Sequence, residues 1–170
     1  MRPAEQAGRV RVSGPIRGTA APGYKNALYA AAQQLYAGSP DTAQVLVSFG
    51  QPGTFEPDEI VKIGMITTDQ SPATISTNRA REETLTLEVT VSVHRGGGPD
   101  QEQVASDRAY ALLQLLADYV HHTDTTLGGA VRMCFLTSTE SDGATDPDLI
   151  AQGRMIAIVA KFTAAARITN

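Results

Sequence analysis

A run of unbroken alternation between residues 84 and 93 constrains the fold of this chain more than any other feature. Leu85, Leu87, Val89, Val91 and Val93 share one parity; Thr84, Thr86, Glu88, Thr90 and Ser92 share the other. Successive side chains of a strand point to opposite faces, so the run predicts a long strand with one buried and one polar face. The polar face is rich in Thr and poor in charge. Such a face is either wetted or used to line or join something.

The rest of the pattern supplies cover for the apolar side. Ala27, Leu28, Ala31, Ala32 and Leu35 form a stripe at helical spacing, which predicts a helix over 23–37 ended by Gly38-Ser39-Pro40. Val104, Ala105, Ala109, Leu112, Leu113, Leu116 and Val120 form a second stripe, over a helix from 101 to 121. Asp100, with Gln103 three residues on, has the spacing of a capping box. Further strands are expected at 45–49, 59–67, 131–139 and 154–168. In 59–67, Ile60, Lys62, Gly64 and Ile66 fall on one side, and Val61, Ile63 and Met65 on the other. Residues 68–80 read as a polar loop, and 141–152 as a mobile acidic loop. The order is α-β-β-β-α-β-β. This predicts an α+β fold, with a mostly antiparallel sheet of about five strands and helices packed on one face. Residues 1–22, with Gly, Pro and Arg but no periodicity, read as an N-terminal arm. Residues 23–170 read as a single domain.

Composition narrows the function classes. With 42% hydrophobic and 19% charged residues, the chain matches an ordinary soluble domain. Its net charge of −4 and its lack of a Lys/Arg run argue against wrapping a nucleic-acid backbone, which needs a positive stripe. No apolar run reaches the ~20 residues of a transmembrane helix. Arg2 and Arg9 are not followed by an apolar stretch, so no secretory signal is expected.

Catalytic equipment is sparse. The single cysteine, Cys134, lies in an apolar strand-like run and reads as a small buried hydrophobe, with Arg132 expected on its face. Gly96-Gly97-Gly98 precedes a helix, but Pro99-Asp100 puts a carboxylate where a phosphate would sit, so a flexible joint is the better reading. His121 and His122 are adjacent and do not share a helical face, so they read as cations complementing a helix end. His94 reads as a surface residue. Asp142, Asp146 and Asp148 lack the spacing and terminal Glu of a calcium loop. Glu82 and Glu83 point to opposite faces and do not form an acid/base pair. No catalytic residue, cofactor site or metal site is expected. Arg79, Arg81 and Glu83, at i, i+2 and i+4, share one face at the start of the long strand. They are the candidate subunit interface, where opposite charges and Arg forks suit intersubunit ion pairs.

Several motifs occur in a telling order. Arg79-x-Arg81-Glu82-Glu83 leads into alternating Leu/Val. Ala105-x-x-Arg108-Ala109-Tyr110-Ala111-Leu112-Leu113 follows, then Thr126-Leu127-Gly128-Gly129-x-Val131. Gly153-Arg154-Met155-Ile156-x-Ile158 and the closing Arg167-Ile168 complete the set. In this order and spacing, from about Tyr24 to Asn170, the chain resembles the tail terminator (tail completion) proteins of long-tailed bacteriophages. The resemblance implies an α+β domain that assembles with itself into a hexameric ring. That ring would sit on the last ring of the tail tube, stop its polymerisation and offer the head-docking surface. It implies the tail tube protein and a head-completion or connector protein as partners, and DNA passing through the lumen without specific binding. It places the protein in the virion, at the head-proximal end of the tail, after assembly in the host cytoplasm. It carries over no catalytic residue and no cofactor. Another connector component or a tube subunit is the neighbouring alternative; tube subunits present long hairpins, and the last two strands here are split by a loop. A small enzyme or ligand-binding α+β domain is the alternative of a different class. It would need a pocket of convergent polar groups.

Overall fold

The computed structural model describes residues 18–54, 57–73 and 79–169. The alternating run becomes β3 (Arg81–Arg95), the middle strand of a five-stranded sheet ordered β1-β2-β3-β5-β4. β1 is Leu46–Phe49, β2 Glu59–Pro72, β4 Met133–Ser141 and β5 Arg154–Ile168. Helices α1 (Ala21–Ala37) and α2 (Asp100–Asp118) lie on the Leu85–Val93 face of this sheet. The protein is thus α+β, with the expected element order plus a 3-10 helix at Pro147–Gln152 and a π-helical turn at Tyr119–Thr123. Three of the four strand pairings are antiparallel, but β1 runs parallel to β2.

The core forms where the helical stripes meet the apolar side of β3 and β5. Leu85, Leu87, Val89, Val91 and Val93 face Ala164, Phe162, Ala160, Ile158 and Ile156 across the ladder, and all ten are buried. α1 buries Tyr24, Leu28, Ala31, Ala32 and Tyr36. The expected Ala27 and Leu35 are only partly covered, because the buried stripe is centred on the two tyrosines. Each tyrosine satisfies its hydroxyl inside: Tyr24 Oη donates to Phe162 O at 2.9 Å and Tyr36 Oη to Leu112 O at 2.8 Å. Burial pushes both phenols well above their ordinary range. In α2 the stripe is Ala105, Ala109, Leu112, Leu113 and Leu116, while Val104 is exposed.

Four local expectations are corrected. α2 begins after Pro99 with no side-chain cap, so Asp100 does not form a capping box. Residues 68–72 are strand rather than loop, and β2 and β3 form a long hairpin closed by Ala73 N–H donating to Ala80 O. The stretch 141–152 is anchored. Thr145 is buried, its N–H and hydroxyl donate to Glu102 Oε1, and its oxygen accepts from Met155 N. Gly153, at φ 130°, then passes so close to Arg95 that a Cβ would stand 2.6 Å from its carbonyl oxygen, which only glycine tolerates. Finally, Arg132 is exposed while Cys134 is buried; they do not share a face.

β2 also carries a bulge. Gly64 and Met65 together oppose the single residue Glu88, and Gly64 is close enough that a Cβ would sit 3.2 Å from Glu88 O. One extra residue reverses the parity of everything after it. Met65 therefore points out, 66% exposed, and Ile66 turns toward the core. β4 has its own bulge at Thr137, between the pairs Leu136–Phe162 and Ser138–Lys161.

Candidate functional site

The three interface candidates meet different fates at the turn end of the hairpin. Arg79 precedes β3 and is exposed, with a strained backbone at φ 44°. Arg81 opens β3 and is half-buried. Glu83 is 1% exposed. Its carboxylate accepts from Thr19 Oγ1 at 2.6 Å, from Ala20 N at 2.7 Å and from Gln70 Nε2 at 2.8 Å. Burial raises its pKa, but these donors and the positive charge of Arg81 outweigh burial and hold it below the ordinary carboxylate range. Ala20 is the N-cap of α1 and has no capping side chain of its own. Glu83 thus supplies from a distant strand what a capping-box Glu supplies locally, with its charge at the positive end of the helix dipole. The carboxylate is used within the chain and is not presented to another subunit. Residues 18–22, assigned by sequence to the arm, belong to the body; residues 1–17 lie outside the described residues. Glu83→Ala should cost about 2 kcal/mol, since three donors lose a buried charged acceptor. Chemical denaturation measures this, and a loss below about 0.5 kcal/mol would show that the latch is idle.

On the opposite face of the same strand end, Glu82 meets Arg132 at 3.1 Å and Arg167 at 3.7 Å. These are solvent-exposed pairs and contribute little to stability. They mark the hairpin end as a charged, Arg-rich surface.

The far end of the sheet holds a network that sequence spacing did not show. Glu59, first residue of β2, is buried. Arg108 of α2 grips it with two bonds, Nε to Oε1 and Nη2 to Oε2, both 2.9 Å. Arg95, at the end of β3, donates to Glu59 Oε1 as well. Arg108 also reaches Asp41 Oδ2 and Asp41 O, each at 2.7 Å. Burial opposes ionisation of Glu59, but the two guanidiniums prevail and lower its pKa. Gln44, Pro57, Asp58, Glu59 and Arg95 line an open depression here. Its charged groups are engaged with one another rather than converging on an empty centre.

The histidines fall outside any ligand cluster. His94 sits between Asp58 Oδ1 at 3.3 Å and Gln152 O at 3.0 Å, so it has the partners that sequence alone did not show. His121 and His122 lie in the π-helical turn closed by Asp124 N–H donating to Tyr119 O. Contrary to the helical expectation their rings stack, 4.5 Å apart, and His121 meets Phe135 edge-on. Among the described residues no three His, Cys, Asp or Glu side chains group as metal ligands. No described helix is long and apolar enough to cross a membrane. Cys134 lies 3.2 Å from Tyr24 Oη, and burial pushes its thiol up to about 11. It is held as a thiol at neutral pH.

The polar side of β3 lies on the sheet face away from the helices. Thr86, Glu88, Thr90 and Ser92 of β3 lie beside Thr163, Lys161, Val159 and Ala157 of β5 there. No helix covers this face among the described residues. No protein-family model matches the chain, and a search of curated proteins returns no significant match.

Proposed function

We propose that this chain is a ring-forming structural subunit of a phage tail, acting as a tail terminator. Six copies would cap the tail tube, stop its polymerisation and present the surface to which a head-completion protein docks. The reading is supported by the ordered motifs of the sequence, which fall on the elements that build this sheet. Arg79 to Glu83 lead into β3, Ala105 to Leu113 include the buried Ala105, Ala109, Leu112 and Leu113 of α2, and Gly153 to Ile158 lead into β5. The charged groups that could resemble a catalytic site are paired within the protomer, which favours a structural role. A lumen poor in Lys and Arg would let DNA pass without holding its phosphates.

Negative-stain electron microscopy of the purified chain, alone and mixed with tail tubes, tests this. Uniform rings with a central hole, or capped tubes of fixed length, are expected. Tubes that lengthen regardless of the chain, with no ring in any field, would overturn the reading. One observation favours a second reading, a tube subunit: the long β2–β3 hairpin, which the sequence had hidden as a loop. A tube subunit would polymerise into tubes by itself.

The interface candidates give a prediction of their own. Arg79→Glu should abolish ring formation while leaving the melting temperature within about 2 °C, because the side chain is exposed. Normal assembly would remove Arg79 from the interface. Arg81→Glu is the poorer probe, since it would put a second carboxylate beside buried Glu83.

A further inference from the structure

Besides the outer edge of the four-residue β1, two stretches of strand edge are left without a strand partner among the described residues, one on each side of the sheet. β1 pairs only with Ile60–Ile63, so the outer edge of Ile66–Pro72 in β2 is bare among the described residues. The outer edge of β4 likewise has no strand partner among the described residues, although His121 of the π-helical turn meets its Phe135. The registers put Met133–Leu136 of β4 level with Ile66–Asp69 of β2, while Thr139–Ser141 lie level with Val61–Ile63, which β1 pairs. Phe135 lies opposite Thr163, Thr163 opposite Thr86, and Thr86 opposite Thr67. β4 runs antiparallel to β5, β5 to β3 and β3 to β2, so β4 of one copy beside β2 of the next would continue the alternation.

Exposed edges are normally blunted by Lys, Pro or shortness. Here β4 carries no Lys or Pro in nine residues, and Ile66–Pro72 carries one charge, Asp69, and one proline, at its last residue. Exposed apolar side chains flank both: Met65 at 66% on one side, Met133 at 44% and Phe135 at 39% on the other. Guarded only by Pro72 at the end of one and the Thr137 bulge of the other, these apolar-flanked edges invite another strand. Two different edges on opposite sides of one molecule make a head-to-tail contact, which is the kind that closes into rings.

We propose that the outer edge of β4 in one copy pairs antiparallel with Ile66–Pro72 of the next copy, joining protomers by sheet continuation. This rests on the ring reading and assigns its joint.

The backbone pattern supplies a test. His94 N–H donates to Asp58 O, Ala73 N–H to Ala80 O, and Gly50 N–H to Ile63 O. Even-numbered residues of β3 therefore exchange hydrogen bonds with β2, and β2 residues opposite odd ones point their backbone groups outward. Thr68, opposite Leu85, is one of these. Thr68→Pro removes an outward N–H and keeps the hairpin ladder, as proline does on edge strands. The Thr68→Pro chain should melt as the parent does and form no rings. Hydrogen-exchange mass spectrometry of the unmodified chain gives the independent readout. Peptides over 66–72 and 133–141 should slow together by about tenfold or more in the ring relative to the monomer. A ring whose two edges exchange as fast as in the monomer would overturn the proposal and leave the ring reading standing. A ring that assembles normally from the Thr68→Pro chain would do the same. If no ring forms under any condition, the ring reading itself fails and the joint with it.

Discussion

Leu113→Asp should yield a chain with no cooperative unfolding transition. Leu113 is 3% exposed on the side of α2 that packs against β3 and β5, between Leu112 and Leu116 of the same stripe. Losing the leucine forfeits about 2–3 kcal/mol of burial. The carboxylate must then ionise without a partner or take up a proton, and either adds several kcal/mol. The sum approaches the whole stability of a domain, about 5–15 kcal/mol. Leu115→Asp is the control: Leu115 is 43% exposed on the same helix, and its change should stay within about 0.5 kcal/mol. Circular dichroism melts of the two chains separate the cases. A Leu113→Asp protein that melts like the parent would mean the buried face of α2 is misassigned.

Glu59→Ala should destabilise the fold by about 3 kcal/mol, because it strands two guanidiniums that now share one carboxylate. Arg108 keeps Asp41 as a second partner, which holds the loss at the lower end of the range for a broken buried pair. The cost is pH-dependent. The folded-state pKa of Glu59 lies below its ordinary value, so its contribution is complete above the unfolded-state pKa of about 4 and fades as pH falls through the folded value. The gap between parent and variant should therefore narrow on acidification below about pH 4. Urea titrations at pH 7 and at pH 3 measure it. An undiminished gap at the lower pH would show that packing, not charge, carries the effect.

The sheet and both helices were legible in the sequence where one face is buried and the other wet. β3 is the clearest case, since it has a neighbour on each side and helices on one face, so its alternation survives from Thr84 to Val93. The end of β2 was illegible for the converse reason. Thr67 to Pro72 are exposed on both sides, and a strand without a buried face leaves no period to read. Met65 was assigned to the wrong face because a single bulge residue reverses parity and leaves no local mark except Gly64. The parallel pairing of β1 depends on a crossover that composition does not encode. Among the interface candidates, the shared parity of Arg81 and Glu83 was correct, but that parity leads into the core side. A carboxylate whose partners are Thr19 and Ala20, more than sixty residues away, cannot be told from a surface charge by its neighbours in sequence. Glu59 and Arg108 were hidden in the same way.

The two bulges lie at one level of the sheet, on either side of the pair Glu88–Lys161. β2 and β4 each carry one residue more than β3 and β5 across that line, about 3.3 Å of extra contour on each margin. Margins longer than the midline cannot lie flat beside it, and a bulge takes up the excess as a local bend and added twist of its strand. Deleting Met65 and Thr137 together would therefore relax the sheet toward a plainer twist without removing a single residue of its core.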